Sequence, residues 1–182
     1  AIQGASYLQD IGDWYNKNVT GSMIIQGRML RDIRLGSKNN PVIISISSLT
    51  LSNCVSLQRL LLSNITTLSG TLNLTACEHL QEIYADGTSL AQIVLPSGGG
   101  LRVVEYSRFN QYLSLSNYPL LTDDGIGIDL CKTVISDFFI VDCALVRPMK
   151  ILVDIMNAQM EQGDNHALKR ICLLYTSDAA DD

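Results

Sequence analysis

Five cysteines, two histidines and a few acidic or glycine-rich stretches are the residues of this 182-residue chain with chemical potential. The cysteines stand at 54, 77, 131, 143 and 172. As a disulfide framework they leave one thiol over. As a zinc site they lack a C-x-x-C pair, and only His79 and His166 could complete one. A structural reading fits better. Cys54, Cys77, Cys131 and Cys143 each follow an alternating apolar pair, where a repeat protein stacks small buried residues in a ladder. His79 and His166 are isolated and have no neighbouring triad pattern, so they read as surface residues. Asp123-Asp124-Gly125 reads as an acidic turn, because the alternating oxygen ligands of a calcium loop are missing. Gly98-Gly99-Gly100 lacks the following Lys and Ser/Thr of a phosphate loop and reads as a turn. Asn18, Asn64 and Asn73 each open an N-x-T sequon, which Asn-rich turns explain equally well. On these grounds the chain is expected to be no enzyme, with no cofactor and no metal.

The elements that hold these residues come from a repeat. Cys54-Val-Ser-Leu-Gln-Arg-Leu-Leu-Leu62 returns as Cys77-Glu-His-Leu-Gln-Glu-Ile-Tyr-Ala85, a step of 23 residues. The L-x-x-L anchor recurs at Leu8, Leu30, Leu57, Leu80 and Leu101, then at Ile135 and Leu168 after longer intervals of 34 and 33. A second series of alternating apolar pairs lies half a coil away, at Leu49-x-Leu51, Leu72-x-Leu74, Ile93-x-Leu95 and Leu113-x-Leu115. Period-2 pairs predict short extended segments. Turns rich in Gly, Asn, Ser and Pro, such as 36–41 and 96–100, separate the two series. A coil of this kind exposes leucines above and below, so it is stable only between neighbours.

Composition agrees. The chain is 47% hydrophobic but only 17% charged, and its apolar residues fall in many short runs, as a stack of coils needs. The net charge is −5, from 13 Lys+Arg against 18 Asp+Glu. Asp178, Asp181 and Asp182 supply three of those acids. No basic cluster exceeds a pair, which argues against a nucleic-acid surface. No apolar run approaches the roughly 18–20 residues of a membrane-spanning helix. The start at Ala1 has neither a signal-peptide pattern nor an initiator Met, so a piece of a longer protein is expected.

The pattern changes after Val146. Pro148 suits a first helical turn, and Met149, Leu152, Ile155, Met156 and Met160 follow at helical spacings, with Gly163 as a stop. A back-side helix near 148–161 is therefore expected, with core packing as the plain role of its Met-rich face and a binding groove as the other. Residues 172–182 resemble the translation of a transposase sequencing adapter. They are expected to be a non-native tail on a repeat domain covering 1–171, itself truncated at both ends.

With Asn73-Leu-Thr-Ala-Cys-Glu-His-Leu80 and Ala85-Asp-Gly-Thr-Ser-Leu90, the two clearest units resemble leucine-rich repeats of gut bacteria and their phages. The resemblance spans about Leu8 to Ile171. It implies an α/β-type repeat solenoid: a parallel sheet on one face, and short extended segments, loops and the one helix on the other. It implies a non-catalytic recognition or adhesion module of a larger surface, secreted or virion-associated protein, with a protein or glycan partner. The alternative is the substrate-recognition arm of an enzyme whose catalytic domain lies elsewhere.

Inward leucines in L-x-x-L-x-L leave alternate residues pointing outward. The expected ligand face therefore carries Arg34, Arg59, Leu61, Glu82, Tyr84, Glu105 and Phe139, beside Asp32, Val103 and Asp137.

Overall fold

A computed structural model describes residues 2–3, 7–97, 100–106, 112–116, 120–122, 125–128, 137–141, 147, 150, 153, 156–157 and 170–174. It is a parallel-strand repeat solenoid. The L-x-x-L series forms one six-stranded sheet in sequence order: β2 (Asp10–Ile11), β4 (Asp32–Arg34), β6 (Arg59–Leu61), β8 (Glu82–Tyr84), β10 (Val103–Tyr106) and β12 (Ile126–Ile128). The alternating series forms the opposite side. There β1 (Ile2–Gln3), β3 (Thr20–Gln26) and β5 (Ser45–Ser52) make one sheet. β7 (Ser69–Asn73) pairs with β9 (Ser89–Val94), and β11 (Tyr112–Ser116) with β13 (Asp137–Val141) and β14 (Arg170–Leu174). Every paired strand is parallel to its neighbour.

Register explains the repeat. Ile33, Leu60 and Ile83 pair in succession, and Ile83 then pairs with Val104. Each is buried against its counterpart in the next coil. Leu30, Leu57, Leu80 and Leu101 form a second buried column, and Met23, Ile25, Leu49, Leu51, Leu72, Leu74, Leu90 and Ile93 fill the interior from the other side. Cys54 and Cys77 are free, buried thiols at the turn into the main sheet, and the Cys54 Sγ lies 3.7 Å from the Ile25 carbonyl oxygen. They occupy ladder positions, as their spacing predicts. Asn64 takes a left-handed φ of 65°, which Asn tolerates. Its Nδ2 donates to the Ser37 carbonyl at 2.9 Å, and its N–H to the Asp86 carbonyl at 2.8 Å, tying three coils together.

Three expectations are revised. First, the second side is not merely loops and short extended segments: its strands reach eight residues, against three or four in the main sheet from β4 onward. Second, the strands that follow the anchors at Ile135 and Leu168, β13 and β14, belong to that second side. Leu113 pairs with Phe138 and Leu115 with Ile140, and Phe138 in turn with Ile171. The main series instead continues from Val104 to Ile126, an ordinary step of 22 residues. An apolar x-x-apolar anchor occurs on either side of a coil, so spacing alone left its phase open. Third, the α/β character rests on helix that the bounded elements lack: among the described residues these are strands and one 3-10 turn, Trp14–Asn16. Most of 148–161 lies outside the described residues. Lys150, Val153, Met156 and Asn157 are described there, are helical, and are exposed, including Met156 from the expected buried face.

The described part of residues 172–182 is Cys172–Leu174, which completes β14. Among the described residues, no helix is long and apolar enough to cross a membrane.

Leu60 is fully buried at the centre of the main column. Leu60→Asp removes its apolar contacts and buries an unpaired carboxylate. The expected cost is roughly 3–5 kcal/mol, read as a lowered urea midpoint. An unchanged midpoint would mean that the columns do not carry the stack.

Candidate functional site

The main sheet presents two outward positions per coil, and parallel register stacks them into columns. One column runs Asp10, Asp32, Arg59, Glu82, Val103. The next runs Arg34, Leu61, Tyr84, Glu105. Asp10 and Asp32 sit directly opposite one another, an unfavourable like-charge pair. Arg34 and Arg59 relieve it: the Arg34 Nε lies 3.7 Å from the Asp32 Oδ2. Arg59 also reaches forward, its Nε 3.5 Å from the Glu82 Oε2.

Asp32 is left under strain of charge. Its Oδ1 and the Arg34 Nε are buried atoms with no hydrogen-bond partner. Desolvation is the largest cause that lifts its carboxyl above the ordinary 3.8, and Asp10 and Glu82 add to it. Arg34 and Arg59 pull the other way without cancelling the rise.

Tyr84 is held, not free. Its hydroxyl donates to the Glu82 Oε2 at 3.0 Å. The Lys38 Nζ lies 4.3 Å from the ring centroid and the Arg59 Cζ 5.4 Å, both within cation–π range. Partial burial first, then the bond to Glu82, raises its phenol. Lys38 also pairs with Glu105. Lys38, Arg59, Glu82, Tyr84 and Glu105 therefore form one connected network across four coils.

Six of the seven expected ligand-face residues, Arg34, Arg59, Leu61, Glu82, Tyr84 and Glu105, lie on this one sheet. Phe139 does not. It lies on β13, where it pairs with Ser114 and Cys172, in a different sheet. Two groups went unforeseen. Lys38 comes from a loop, and nothing local in the sequence ties it to Glu105. A third column also flanks the face, one residue before the strands. Backbone bonds run from Arg31 to Gln9, Gln58 to Arg31, Gln81 to Gln58 and Arg102 to Gln81. Its signal was visible: the residue after the first apolar anchor is Gln or Arg in all five units. This column and the Asp10–Glu82 column line a shallow polar groove of about 390 Å³. The Arg102 guanidinium donates to the Gln81 Oε1 at its far end.

Of the other candidates, His79 is exposed, and the Asn18, Asn64 and Asn73 side chains stand at the surface. His166, Cys131, Cys143, Asp123, Asp124, Gly98 and Gly99 lie outside the described residues. Among the described residues, no three His, Cys, Asp or Glu side chains converge into a metal site. The arrangement can donate and accept hydrogen bonds and pair charges. Comparison with protein-family profiles, curated proteins and solved structures gives no match. The fold and face define the class: a parallel-strand repeat solenoid with a charged, groove-bearing main sheet.

Because the folded Asp32 holds its proton more tightly than the unfolded chain does, native protein binds more protons in the window just above pH 3.8. Stability from this group therefore falls as pH rises through that window. Asp32→Asn is expected to raise the melting temperature at pH 7, with the gain vanishing at pH 3. A loss at pH 7 would show that attraction to Arg34 and Arg59 outweighs burial. Burial pushes the Cys77 thiol up to about 12, and burial likewise raises Cys54. Neither is a reactive thiolate at neutral pH. Iodoacetamide followed by peptide mass spectrometry should leave both unmodified in folded protein and label both in urea. Labelling of the folded chain at either position would contradict their burial.

Proposed function

We propose that this chain is a leucine-rich-repeat recognition module that binds a protein partner through its main sheet, without catalysis. The observation that carries the reading is the connected face itself. Tyr84 is fixed between Lys38 and Arg59 and bonded to Glu82, beside a groove of alternating amide, cationic and anionic side chains. Such a surface loses little side-chain freedom on binding, since the network already orders it. Mixed charges favour a specific partner with the opposite pattern and penalise wrong ones by like-charge contact. The resemblance to bacterial and phage repeats supports placement at a cell surface, in the extracellular space or on a virion, as part of a larger protein.

Partner capture on the immobilised chain tests this. Arg59→Glu places four successive carboxylates in one column, with Asp10, Asp32 and Glu82, and removes a cation from Tyr84. Partner retention is expected to fall about tenfold or more, the scale of a lost charged contact. Restoring the pair with Arg59→Glu/Glu82→Arg should recover part of it. Equal retention by Arg59→Glu, with an unchanged far-ultraviolet spectrum, would place the binding surface elsewhere.

A further inference from the structure

From β3 to β11 the second side of the solenoid differs from the main sheet in one decisive way; charge returns only with Asp137 in β13 and Arg170 in β14. Strands β3, β5, β7, β9 and β11 contain no Asp, Glu, Lys or Arg. The short strands β2, β4, β6, β8 and β10 carry six: Asp10, Asp32, Arg34, Arg59, Glu82 and Glu105. A soluble protein's surface is ordinarily about 25–35% charged. The exposed positions on the second side are hydroxyls and amides instead: Ser22, Gln26, Thr50, Ser52, Thr71 and Asn73 among them.

This side is also interrupted. β5 and β7 are neighbours, yet they belong to different sheets and share no ladder. Side chains bridge them at one end, where the Thr67 Oγ1 donates to the Ile46 carbonyl at 2.9 Å and the Ser69 Oγ to the Ser47 carbonyl at 3.4 Å. The pairings on either side are bulged, at Gly21/Ser22 and at Gly70/Thr71, and both glycines take a φ of +79°. A bulge bends its strand and sharpens the local twist. At the other end β5 and β7 leave a cleft of about 260 Å³. Leu49 and Leu51 contribute its apolar floor; Thr50, Thr71, Asn73 and Thr75 form its rim.

The rim is set for hydrogen bonding. The Asn73 Oδ1 accepts from the Thr75 backbone N–H at 3.0 Å and from the Thr75 Oγ1 at 2.7 Å. That fixes the Asn73 amide and leaves its Nδ2 as a donor, with lone pairs on the Thr75 Oγ1 as acceptors. Among the described residues, the Thr50 and Thr71 hydroxyls have no hydrogen-bond partner. Ile24 pairs with Thr50 across β3 and β5 and is 47% exposed, extending the apolar surface beside the cleft.

We infer that this cleft and the uncharged face around it bind a neutral oligosaccharide chain. A pyranose offers an apolar C–H face and a ring of uncharged hydroxyls. The cleft offers the matching apolar floor and uncharged donors and acceptors, in a volume suited to about one sugar ring. The surrounding hydroxyl and amide columns take the neighbouring rings. Charged side chains, which would lose hydration against a neutral sugar without gaining a counter-charge, are absent from these strands. A second copy of the chain is the weaker fit, since a flat face laid on this one would leave the cleft's polar rim unfilled.

The site is separate from the main-sheet face, so the two readings can fail independently. Nitrogen-15-labelled chain is titrated with uncharged hexasaccharides of gluco, manno, galacto and xylo configuration, and amide shifts are mapped. At least one series should shift Thr50, Thr71, Asn73 and Thr75 with saturable affinity. Asn73→Ala and Thr71→Ala should each weaken it by about three- to tenfold, the scale of one lost hydrogen bond. Arg59→Glu should leave it unchanged, which separates this site from the main sheet. The Ala variants lie at exposed positions and keep the core, and a melting curve checks this. Three results overturn the inference: no saturable shift with any of the four series, shifts confined to the main sheet, or shifts that track protein concentration alone and report self-association.

Discussion

A single coil of this chain cannot bury its own leucines. Each inward residue is covered by its counterpart in the next coil, Leu60 by Ile33 and Ile83 on its two sides. Strands stacked in parallel register lie about 4.7–4.9 Å apart, so whatever occupies one outward position is set directly over its counterpart. The need to bury leucines thus decides the surface as well as the core. Every outward choice is made against a neighbour at close range, and the sequence of a face becomes a set of columns.

The two faces handle that crowding differently. On the main sheet the short strands give two outward positions each, and charge fills most of them. Like charges meet at Asp10 and Asp32, and the stack compensates with Arg34 and Arg59 drawn from adjacent positions. The compensation is incomplete, since the Asp32 Oδ1 keeps no partner and its carboxyl stays raised. Exposed ion pairs contribute little to stability singly. The network through Lys38, Tyr84 and Glu105 is better understood as ordering a surface than as holding the fold together. On the second side the strands from β3 to β11 avoid the problem by carrying no charge at all, which leaves hydroxyls and amides as their polar side chains.

Leucine spacing made the stack legible, because the burial of Leu57, Leu60, Leu80 and Ile83 demands one residue type at fixed intervals. The buried cysteines followed from the same logic. The phase of the later coils did not. Ile135-Ser-Asp-Phe-Phe-Ile140 satisfies the anchor of the main series, yet β13 pairs with β11 on the other side. Alternation is the common property of both sides, and only pairing distinguishes them. The face was legible as far as strand alternation carries, which is why Arg34, Arg59, Leu61, Glu82, Tyr84 and Glu105 fall together and Phe139 does not. The fixing of Tyr84 was not legible for a different reason. An outward aromatic looks free in a sequence, but Lys38 lies 46 residues upstream and approaches its ring only in the folded stack.

The interior separates the faces by one layer of side chains, with Leu60 and Ile83 reaching in from the main sheet and Leu49 and Leu72 from the other. Surface changes on opposite sides share no contact, so their effects should add. Coupling has one route, which is the register between coils. A substitution that shifts one coil against the next moves a whole rung, and with it one position in every column on both faces. The break between β5 and β7 is where that route is weakest on the second side, since hydroxyl bridges from Thr67 and Ser69 replace a backbone ladder there. The main sheet continues unbroken from β4 to β6 across the same pair of coils. Between these two coils, register is therefore held by the backbone ladder of the main sheet.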